Sequence, residues 1–189
     1  MKAAAEAYCT AIPAALTTDR ASDKEVVAII LYSEIESPVG RLLLAMDEAG
    51  LRHIQFVEGR ERARPAPSWT EDRAPFRALI GELHAYFRGD LERFAQPLAP
   101  EGTPFQRKVW NELCGIPYGE TISYGELANR IGNPHASRAV GLANGSNPIP
   151  IVIPCHRVIG SNGKLTGYGG GLPIKEKLLA LERGQLRLL

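Results

Sequence analysis

The sequence predicts two domains: an α/β domain comes first, and a mainly helical domain of the winged helix-turn-helix type follows. Three observations support this fold class. Short β-rich segments alternate with turns from Val26 onward. Apolar residues then recur at helical spacing across 76–87. Beyond residue 100, two helix-start signals and a Gly-Asn-Pro turn at 132–134 indicate short helices joined closely.

Length and composition agree with two small domains. The chain has 189 residues, of which 44% are hydrophobic and 23% are charged, as in ordinary globular proteins. No apolar run approaches the length of about 18 residues that indicates a membrane-spanning helix. Residues 1–24 are predicted to be a flexible tail, because Glu6 and Pro13 interrupt their alanine-rich sequence and make it a poor signal peptide.

The first domain is predicted over residues 25–98. Three β-rich segments, at 26–35, 41–46 and 51–57, are separated by turns and predict an antiparallel meander. Residues 58–74 are polar and proline-rich, which predicts a loop.

A helix completes the first domain. Gly89 stands where this helix is expected to end. Two prolines and a glycine at 96–103 then mark the domain boundary, where the charge balance also changes sign. The apolar positions that predict the helix are Phe76, Leu79, Ile80, Leu83, Tyr86 and Phe87.

The second domain is predicted over residues 103–189. Thr103 and Gln106 form one capping box at a helix start, and Ser123 and Glu126 form another. The second of these helices is expected to end near residue 131, and a third helix is expected at 135–144, just after the tight turn. Two short helices joined in this way resemble a helix-turn-helix.

A wing and a closing helix are predicted after the third helix. The apolar run 149–153 predicts a buried strand, and the Asn-Gly pair at 162–163 predicts a hairpin. Residues 173–184 predict the final helix, with a proline at its start and a glycine at its end.

The third helix has two dissimilar faces. One face carries small residues around a single arginine, which allow a close approach to another surface. In a DNA-binding protein, this pattern favours insertion of a side chain into DNA over base recognition by a row of amide side chains. Tight packing against another helix is the alternative. The face expected to pack in the core carries Ala136, Ala139, Val140 and Ala143, and the opposite face carries Ser137, Arg138, Gly141, Leu142 and Gly145.

The charge distribution points to a polyanionic partner for the second domain. Residues 1–100 carry 12 basic and 15 acidic side chains, a net charge of −3, whereas residues 101–189 carry 10 and 6, a net charge of +4. A random distribution of surface charge is the alternative.

Three widely spaced cysteines do not form a disulfide framework and favour a reducing compartment such as the cytoplasm or nucleoid. Cys114 is expected in the core at the end of a helix, and Cys9 is expected to be a solvated thiol in the tail. Cys155 follows an apolar segment and directly precedes His156. Because the thiolate is the nucleophile, a nearby histidine that accepts the proton would activate this cysteine.

Cys155 and His156 are not expected to contact each other directly. Adjacent residues of an extended chain point to opposite sides, so a water molecule is expected to bridge Cys155 and His156. Glu182 is the candidate to orient the histidine, since it lies on the apolar face of the last helix whereas Glu176 does not. Lys175 lies close to the same face of that helix, which weakens this argument.

These segments resemble the O6-alkylguanine-DNA alkyltransferases, also called methylated-DNA–protein-cysteine methyltransferases. The resemblance covers about residues 103–184 and is weaker over the first domain. It implies a ribonuclease-H-like first domain and a winged helix-turn-helix that binds the minor groove. The motifs that carry it, in family order and spacing, are SYGELA at 123–128, SRAVGLANGSNP at 137–148, PCHRV at 154–158, GYGGG at 167–171 and KEKLLALE at 175–182.

The resemblance also implies a role for each matching residue. Cys155 would accept the alkyl group irreversibly, once per molecule, with His156 acting through water as its base and Glu182 holding His156. Arg138 would fill the gap that the flipped nucleotide leaves, and Tyr124 would contact the guanine or its rotated phosphate. Asn147 would brace the turn before the active-site segment. The other residues expected at DNA or at the base are Ala136, Ser137, Gly141, Val158 and Tyr168.

The implied substrate is double-stranded DNA that contains O6-alkylguanine, with O4-alkylthymine as a second substrate. The protein is expected to be a monomer in solution that could bind DNA cooperatively, without a membrane partner or cofactor. No metal is expected, because Cys9, His53 and His84 lack ligand spacing. Gly169 stands where some relatives carry serine, which removes a hydroxyl contact to the base but leaves backbone contacts possible.

Three other functions remain open at this point. A lesion-binding protein of the alkyltransferase-like kind would lack the acceptor cysteine, so Cys155 argues against it. An alkylation-sensing regulator would use the same thiol as a signal. A Cys-His hydrolase would turn over its substrate repeatedly.

Overall fold

The computed structural model describes residues 28–58 and 63–189. The predicted tail at 1–24, with Cys9, lies outside these residues. Within them, no helix has the length and apolar character needed to cross a membrane.

The first domain contains a four-stranded sheet. The predicted meander is present as β1 (Leu31–Ile35), β2 (Leu42–Asp47) and β3 (Gly50–Phe56), which pair antiparallel in sequence order. Gly50 begins β3 at φ 135°, and a Cβ there would lie 2.5 Å from the carbonyl oxygen of Pro97. Only glycine fits this close approach.

A short strand within residues 58–74 corrects the prediction of a loop. β4 (Thr70–Glu71) pairs in parallel with β1 and gives the sheet the order β3-β2-β1-β4. Both residues of β4 are exposed, so the strand lacks the apolar alternation by which a strand is recognised in a sequence.

The predicted helix of the first domain shares a hydrophobic core with the sheet. It is α1 (Arg77–Arg88), which follows a 3-10 turn at Ala74–Phe76 and ends at Gly89 in the left-handed conformation. Its buried side chains join those of the sheet in one core that continues into the second domain. The buried residues of α1 are Leu79, Ile80, Leu83, Tyr86 and Phe87.

The second domain begins with two capped helices. α2 (Pro104–Leu113) starts at the complete Thr103–Gln106 capping box. α3 (Tyr124–Arg130) starts at Ser123, whose Oγ accepts a hydrogen bond from the N–H of Glu126. These caps satisfy N–H groups that a helix start otherwise leaves without partners.

The third predicted helix, α4 (Ser137–Gly145), is displaced from the expected 135–144. The N–H of Ala136 is bonded to the carbonyl of Asn133 in the preceding turn, so the helix starts only after that residue. Its core face also differs from the prediction, because Ala139 is exposed and Asn144 is buried. The reason is that α4 packs on α2 and α3 along a narrow line through Val140, Ala143 and Asn144.

The segment 149–153 is buried as predicted, but it is not a strand. It turns back on itself, with a single bridge between Pro150 and Ile153 and a left-handed Ile151 at φ 77°. Prolines at 148, 150 and 154 lack the N–H groups that a strand donates, which explains the difference.

The predicted wing consists of a turn with one strand. The N–H of Gly160 donates to the carbonyl of Lys164 at 2.9 Å, but no returning strand follows in the part of the chain that the structure describes. Instead, β6 (Val158–Ile159) pairs in parallel with β5 (Ile122–Ser123) just before α3. The final helix α5 (Leu172–Glu182) closes the domain.

Candidate active site

Cys155 lies at the start of a short 3-10 helix, Cys155–Arg157, directly after the buried turn. The premise of an extended chain at Cys155 and His156 is therefore wrong. Cys155 is only 4% exposed, and burial raises the pKa of its thiol to about 11, although a hydrogen bond with Asn147 and the charge of Lys175 oppose this. At neutral pH the group is a thiol and needs a base to become nucleophilic.

His156 is held by Glu182, as predicted from the face of the last helix. Its Nε2 lies 2.7 Å from Oε1 of Glu182, and both side chains are fully buried. Since the carboxylate can only accept, Nε2 carries the hydrogen and Nδ1 carries the lone pair. Burial lowers the pKa of His156 despite the nearby carboxylate, so the ring is neutral at neutral pH.

The lone pair of His156 is available as a base. Its Nδ1 is buried and has no hydrogen-bond partner among the described residues. A buried polar atom of this kind is normally satisfied by protein or by an ordered water. A water at Nδ1 is therefore the expected link to the thiol, and the base role of His156 stays a prediction.

Glu182 accepts hydrogen bonds from four residues. Arg157 binds both carboxylate oxygens, Nε at 2.9 Å from Oε2 and Nη2 at 3.0 Å from Oε1. The hydroxyl of Tyr86 donates to Oε1 at 2.7 Å, and the N–H of Gly119 donates to Oε2 at 3.2 Å. Burial acts to raise the pKa of Glu182, but His156 and Arg157 outweigh it and hold the pKa well below its usual range.

Sequence reasoning missed Arg157, Tyr86 and Gly119 as donors to Glu182, and it assigned no role to the nearby Lys175. Arg157 stands beside His156 in the PCHRV motif, so its position next to the site could have suggested a partner for Glu182. Tyr86 is contributed by α1 of the first domain, and nothing in the sequence connects it with residues 70 to 96 positions later. Lys175 is fully buried, and its Nζ donates to the carbonyls of Val158 at 2.6 Å and Thr166 at 2.9 Å.

A cavity of about 900 Å³ lies between α4 and the glycine-rich segment before α5. The structure brings most predicted DNA and base contacts to its wall. Asn144 also lies on the wall, and its Nδ2 donates to the carbonyl of Cys155 at 3.4 Å, so a residue of the wall contacts the backbone of the cysteine. The predicted residues on the wall are Tyr124, Ser137, Arg138, Gly141, Tyr168 and Gly169.

The predicted residues on the wall differ in exposure and contacts. Arg138 is exposed, and the Tyr124 hydroxyl accepts a hydrogen bond from Thr166 at 3.1 Å. The ring of Tyr168 packs edge-on against His156, and its buried hydroxyl has no partner among the described residues. A Cβ at Gly169 would meet nothing within 4 Å, so a serine would fit there without steric conflict.

Three further candidates lie beside the cavity rather than on its wall. Ala136 is the half-buried residue before α4. Val158 is buried, its N–H donates to the carbonyl of Cys155, and its own carbonyl accepts from Lys175. Asn147 braces the buried turn, since its Nδ2 donates to the carbonyl of Ile153 at 2.8 Å and its Oδ1 accepts from the N–H of Ile149 at 3.0 Å.

The remaining cysteine and histidine candidates lie away from this network. Cys114 is buried, as predicted. His53 stacks on Trp69 with ring centroids 5.6 Å apart, and His84 is exposed on α1. Within 28–58 and 63–189, no group of three or more side chains could hold a metal ion.

Replacing Glu182 with glutamine is expected to destabilise the fold by about 3–5 kcal/mol at neutral pH, because buried Arg157 loses its counter-charge. Glu182 has a depressed pKa in the folded state, so its contribution is present above its unfolded pKa of about 4.3 and is lost as the pH falls below that value. The free energy of unfolding, measured in urea, should therefore differ between Glu182→Gln and the wild type by more at pH 7 than at pH 3. Glu176→Gln, at an exposed position of α5, is the control; equal midpoints for all three proteins at pH 7 would contradict the prediction.

Two sequence profiles of one family match the chain. The profile described as the DNA binding domain of 6-O-methylguanine DNA methyltransferase matches residues 104–184. The profile described as the ribonuclease-like domain of 6-O-methylguanine DNA methyltransferase matches residues 30–100.

The chain is similar in sequence to proteins named methylated-DNA–protein-cysteine methyltransferase. The methylated-DNA–protein-cysteine methyltransferase of Methanosarcina acetivorans is 58% identical over 151 residues, which are 80% of this chain and 97% of that protein. The protein of that name from Mycobacterium tuberculosis strain H37Rv is 50% identical over 158 residues, 83% of this chain and 94% of that protein.

Solved structures support the same fold. The crystal structure of Mycobacterium tuberculosis OGT in complex with DNA aligns with a TM-score of 0.76 and 50% identity, covering 82% of this chain and 94% of that one. The predicted fold class, a ribonuclease-like α/β domain followed by a helical DNA-binding domain, is confirmed.

Proposed function

The chain belongs to the 6-O-methylguanine DNA methyltransferase family, and we propose that it repairs DNA by moving the alkyl group from O6 of guanine to its own Cys155. The observation that carries this assignment is the buried pair of His156 and Glu182, which directly follows the buried Cys155 and lies near a cavity on the DNA-binding domain. The protein is a methyltransferase whose macromolecular partner is DNA.

The transfer is a displacement at the alkyl carbon. His156 takes the thiol proton through a water at Nδ1, and the imidazolium is stabilised by Glu182. The Cys155 sulfur then forms a bond to the alkyl carbon while the bond from that carbon to guanine O6 breaks, and its electron pair returns to the base. A proton, returned from His156, neutralises the departing guanine, so the thiol proton ends on the base.

The target atom must first leave the base stack. In a duplex the alkylated base is inaccessible to a buried thiol, so the nucleotide is extruded at a cost of a few kcal/mol. We propose that α4 enters the minor groove and that exposed Arg138 occupies the gap, while Tyr124 and the Tyr168–Gly169 segment border the extruded base. The +4 charge of residues 101–189 supports contacts to phosphates that do not depend on sequence.

The product explains why each molecule acts once. A thioether on Cys155 is stable, and no second cysteine in the described network could remove the alkyl group. We propose that O6-alkylguanine is the main lesion, that O4-alkylthymine is also accepted, and that the protein acts as a monomer.

The number of lesions repaired per chain tests this function. With a tenfold excess of a duplex carrying O6-methylguanine, loss of the lesion should stop at one per active protein molecule. Cys155→Ser, which keeps the size of the side chain but lacks the thiol, should repair none. Repair that continues beyond one lesion per chain would instead favour a hydrolytic enzyme, and binding without repair would favour a lesion-binding protein.

A further inference from the structure

One side chain of the first domain donates a hydrogen bond to Glu182. Tyr86 lies on α1, is fully buried, and its hydroxyl donates to Oε1 of Glu182 at 2.7 Å. The other donors to Glu182 among the described residues all belong to the second domain; they are His156, Arg157 and Gly119. Burial and the carboxylate of Glu182 raise the pKa of Tyr86 well above its usual value, so this group is a hydroxyl and a donor at neutral pH.

Tyr86 and His156 share a single carboxylate oxygen. Nε2 of His156 and the hydroxyl of Tyr86 each lie 2.7 Å from Oε1 of Glu182, and they are 3.5 Å from each other. Nη2 of Arg157 is a third donor to this oxygen, at 3.0 Å. A carboxylate offers about four lone-pair sites on its two oxygens, so three donors at one oxygen must compete. Each of these hydrogen bonds is therefore weaker than it would be without the others.

This competition affects the proton that His156 carries during transfer. In the proposed reaction, His156 takes a proton from Cys155 and later returns it to the departing base. An adjacent negative charge stabilises the imidazolium, so an undisturbed Glu182 would hold this proton firmly. A hydroxyl that donates to the same oxygen draws on that charge and makes the proton easier to release. A group that both accepts and donates a proton works best when its pKa lies near the working pH.

Several other groups act on His156 and its carboxylate. Burial lowers the pKa of His156, Glu182 raises it, and the positive charges of Arg157 and Lys175 lower it. Among the polar groups, Tyr86 differs in that it comes from the other domain and contacts the same oxygen as the histidine. The titratable and charged side chains that surround the His156–Glu182 pair are Tyr86, Tyr118, Cys155, Arg157, Tyr168 and Lys175.

We propose that Tyr86 is a positioning residue, whose hydroxyl shares Oε1 of Glu182 with His156, limits how firmly His156 holds a proton, and thereby makes the pH range of transfer depend on the first domain. The effect on transfer rests on the proposed function, whereas the effect on His156 does not. The hydroxyl is held in place by the packing of its ring, whose centroid lies 5.6 Å from that of Phe87 and 5.4 Å from that of Phe94.

Tyr86→Phe tests the proposal, because it removes only the hydroxyl. Oε1 of Glu182 then loses one donor and stabilises the imidazolium more strongly, so the pKa of His156 should rise by about one pH unit. An NMR titration of the imidazole nitrogens in the full chain, without DNA, measures this pKa; the signals are assigned by comparison with His156→Ala.

The pH profile of single-turnover methyl transfer gives a second readout of Tyr86→Phe. Because neutral His156 is the base, the decline of the rate in acid should begin at higher pH than in the wild type. Tyr86→Phe should be about tenfold slower than the wild type below both pKa values of His156, and nearly equal to it above both.

Two further proteins complete the experiment. Tyr118→Phe removes a hydroxyl from a ring that packs edge-on against Tyr86 but does not belong to the donors of Glu182, so it should leave the pKa of His156 unchanged. Incorporation of 3-fluorotyrosine at position 86 keeps the hydroxyl and makes it a stronger donor, so it should lower the pKa of His156. This protein provides the test if Tyr86→Phe does not fold.

An unchanged or lowered pKa of His156 in Tyr86→Phe would overturn the proposal. So would a transfer rate reduced by the same factor at every pH, which would leave Tyr86 a purely structural role. An equal rise of the pKa in Tyr118→Phe would also contradict it, since ring packing would then be the cause. Failure of the proposed function has a different signature: the pKa of His156 would rise in Tyr86→Phe, but the wild-type chain would transfer no methyl group.

Discussion

His156→Ala is expected to slow methyl transfer about 10²- to 10⁴-fold at pH 7.5, the usual contribution of a positioned general base. Burial raises the pKa of the Cys155 thiol to about 11, so without the histidine only a small fraction is thiolate at this pH. DNA affinity should change little, since His156 is fully buried. Single-turnover transfer and equilibrium DNA binding, measured on the same preparation, separate the two effects.

The transfer rates of the wild type and of His156→Ala should depend differently on pH. In the wild type, burial lowers the pKa of His156, so its neutral, basic form persists below the ordinary value of about 6.5 and the rate should be nearly constant above that pH. In His156→Ala, the rate should rise about tenfold per pH unit toward pH 11, because hydroxide must generate the thiolate. His84→Ala, at an exposed position of α1, is the control. A His156→Ala rate that does not respond to pH would contradict the base role.

Arg138→Ala is expected to reduce repair of duplex DNA by about 10- to 100-fold, since the cost of a few kcal/mol for unstacking is then no longer offset. The loss should be smaller for a lesion in a single strand. It should nearly disappear for the free base O6-benzylguanine, which needs no extrusion. Transfer rates on these three substrates give the comparison.

The pattern across substrates distinguishes base flipping from other roles of the arginine. Arg130→Ala, at an exposed arginine of α3 that pairs with Glu126, is the control for loss of one positive charge. A phosphate contact would make Arg138→Ala weaken binding to every DNA equally. An equal loss on free base and duplex would mean that Arg138 supports the active site or fold instead.

The sequence predicts the helices well because their signals are local. The capping residue Thr103 and the stop at Gly89 act through neighbouring backbone groups, and both are found where they were expected. Glu182 was also identified correctly as an inward-facing carboxylate, because a charge on an apolar helix face needs a buried partner.

Features that depend on distant contacts were predicted less well. β4 is held by its pairing with β1, some 40 residues earlier in the chain, and has no apolar pattern of its own. The segment before Cys155 looks like a strand by composition, but its prolines prevent strand pairing and Asn147 stabilises a turn instead.

The hydrogen bonds to Glu182 also include contacts between residues that are distant in the chain, which the sequence does not predict. His156 adjoins Cys155 in the sequence, whereas Tyr86 reaches Glu182 from the first domain. Asn144 lies outside the predicted core face of α4, because that face includes only apolar residues. A buried amide on that face becomes visible only when its partner, the carbonyl of Cys155, is known.

The identity of the alkylated residue tests the central claim most directly. After reaction with duplex DNA carrying O6-methylguanine, the chain should be digested and its cysteine peptides analysed by mass spectrometry. One methyl group per chain on the Cys155 peptide is the predicted result, with unmodified guanine left in the DNA. A methyl group on Cys9 or Cys114, or repaired DNA with an unmodified Cys155, would contradict the account.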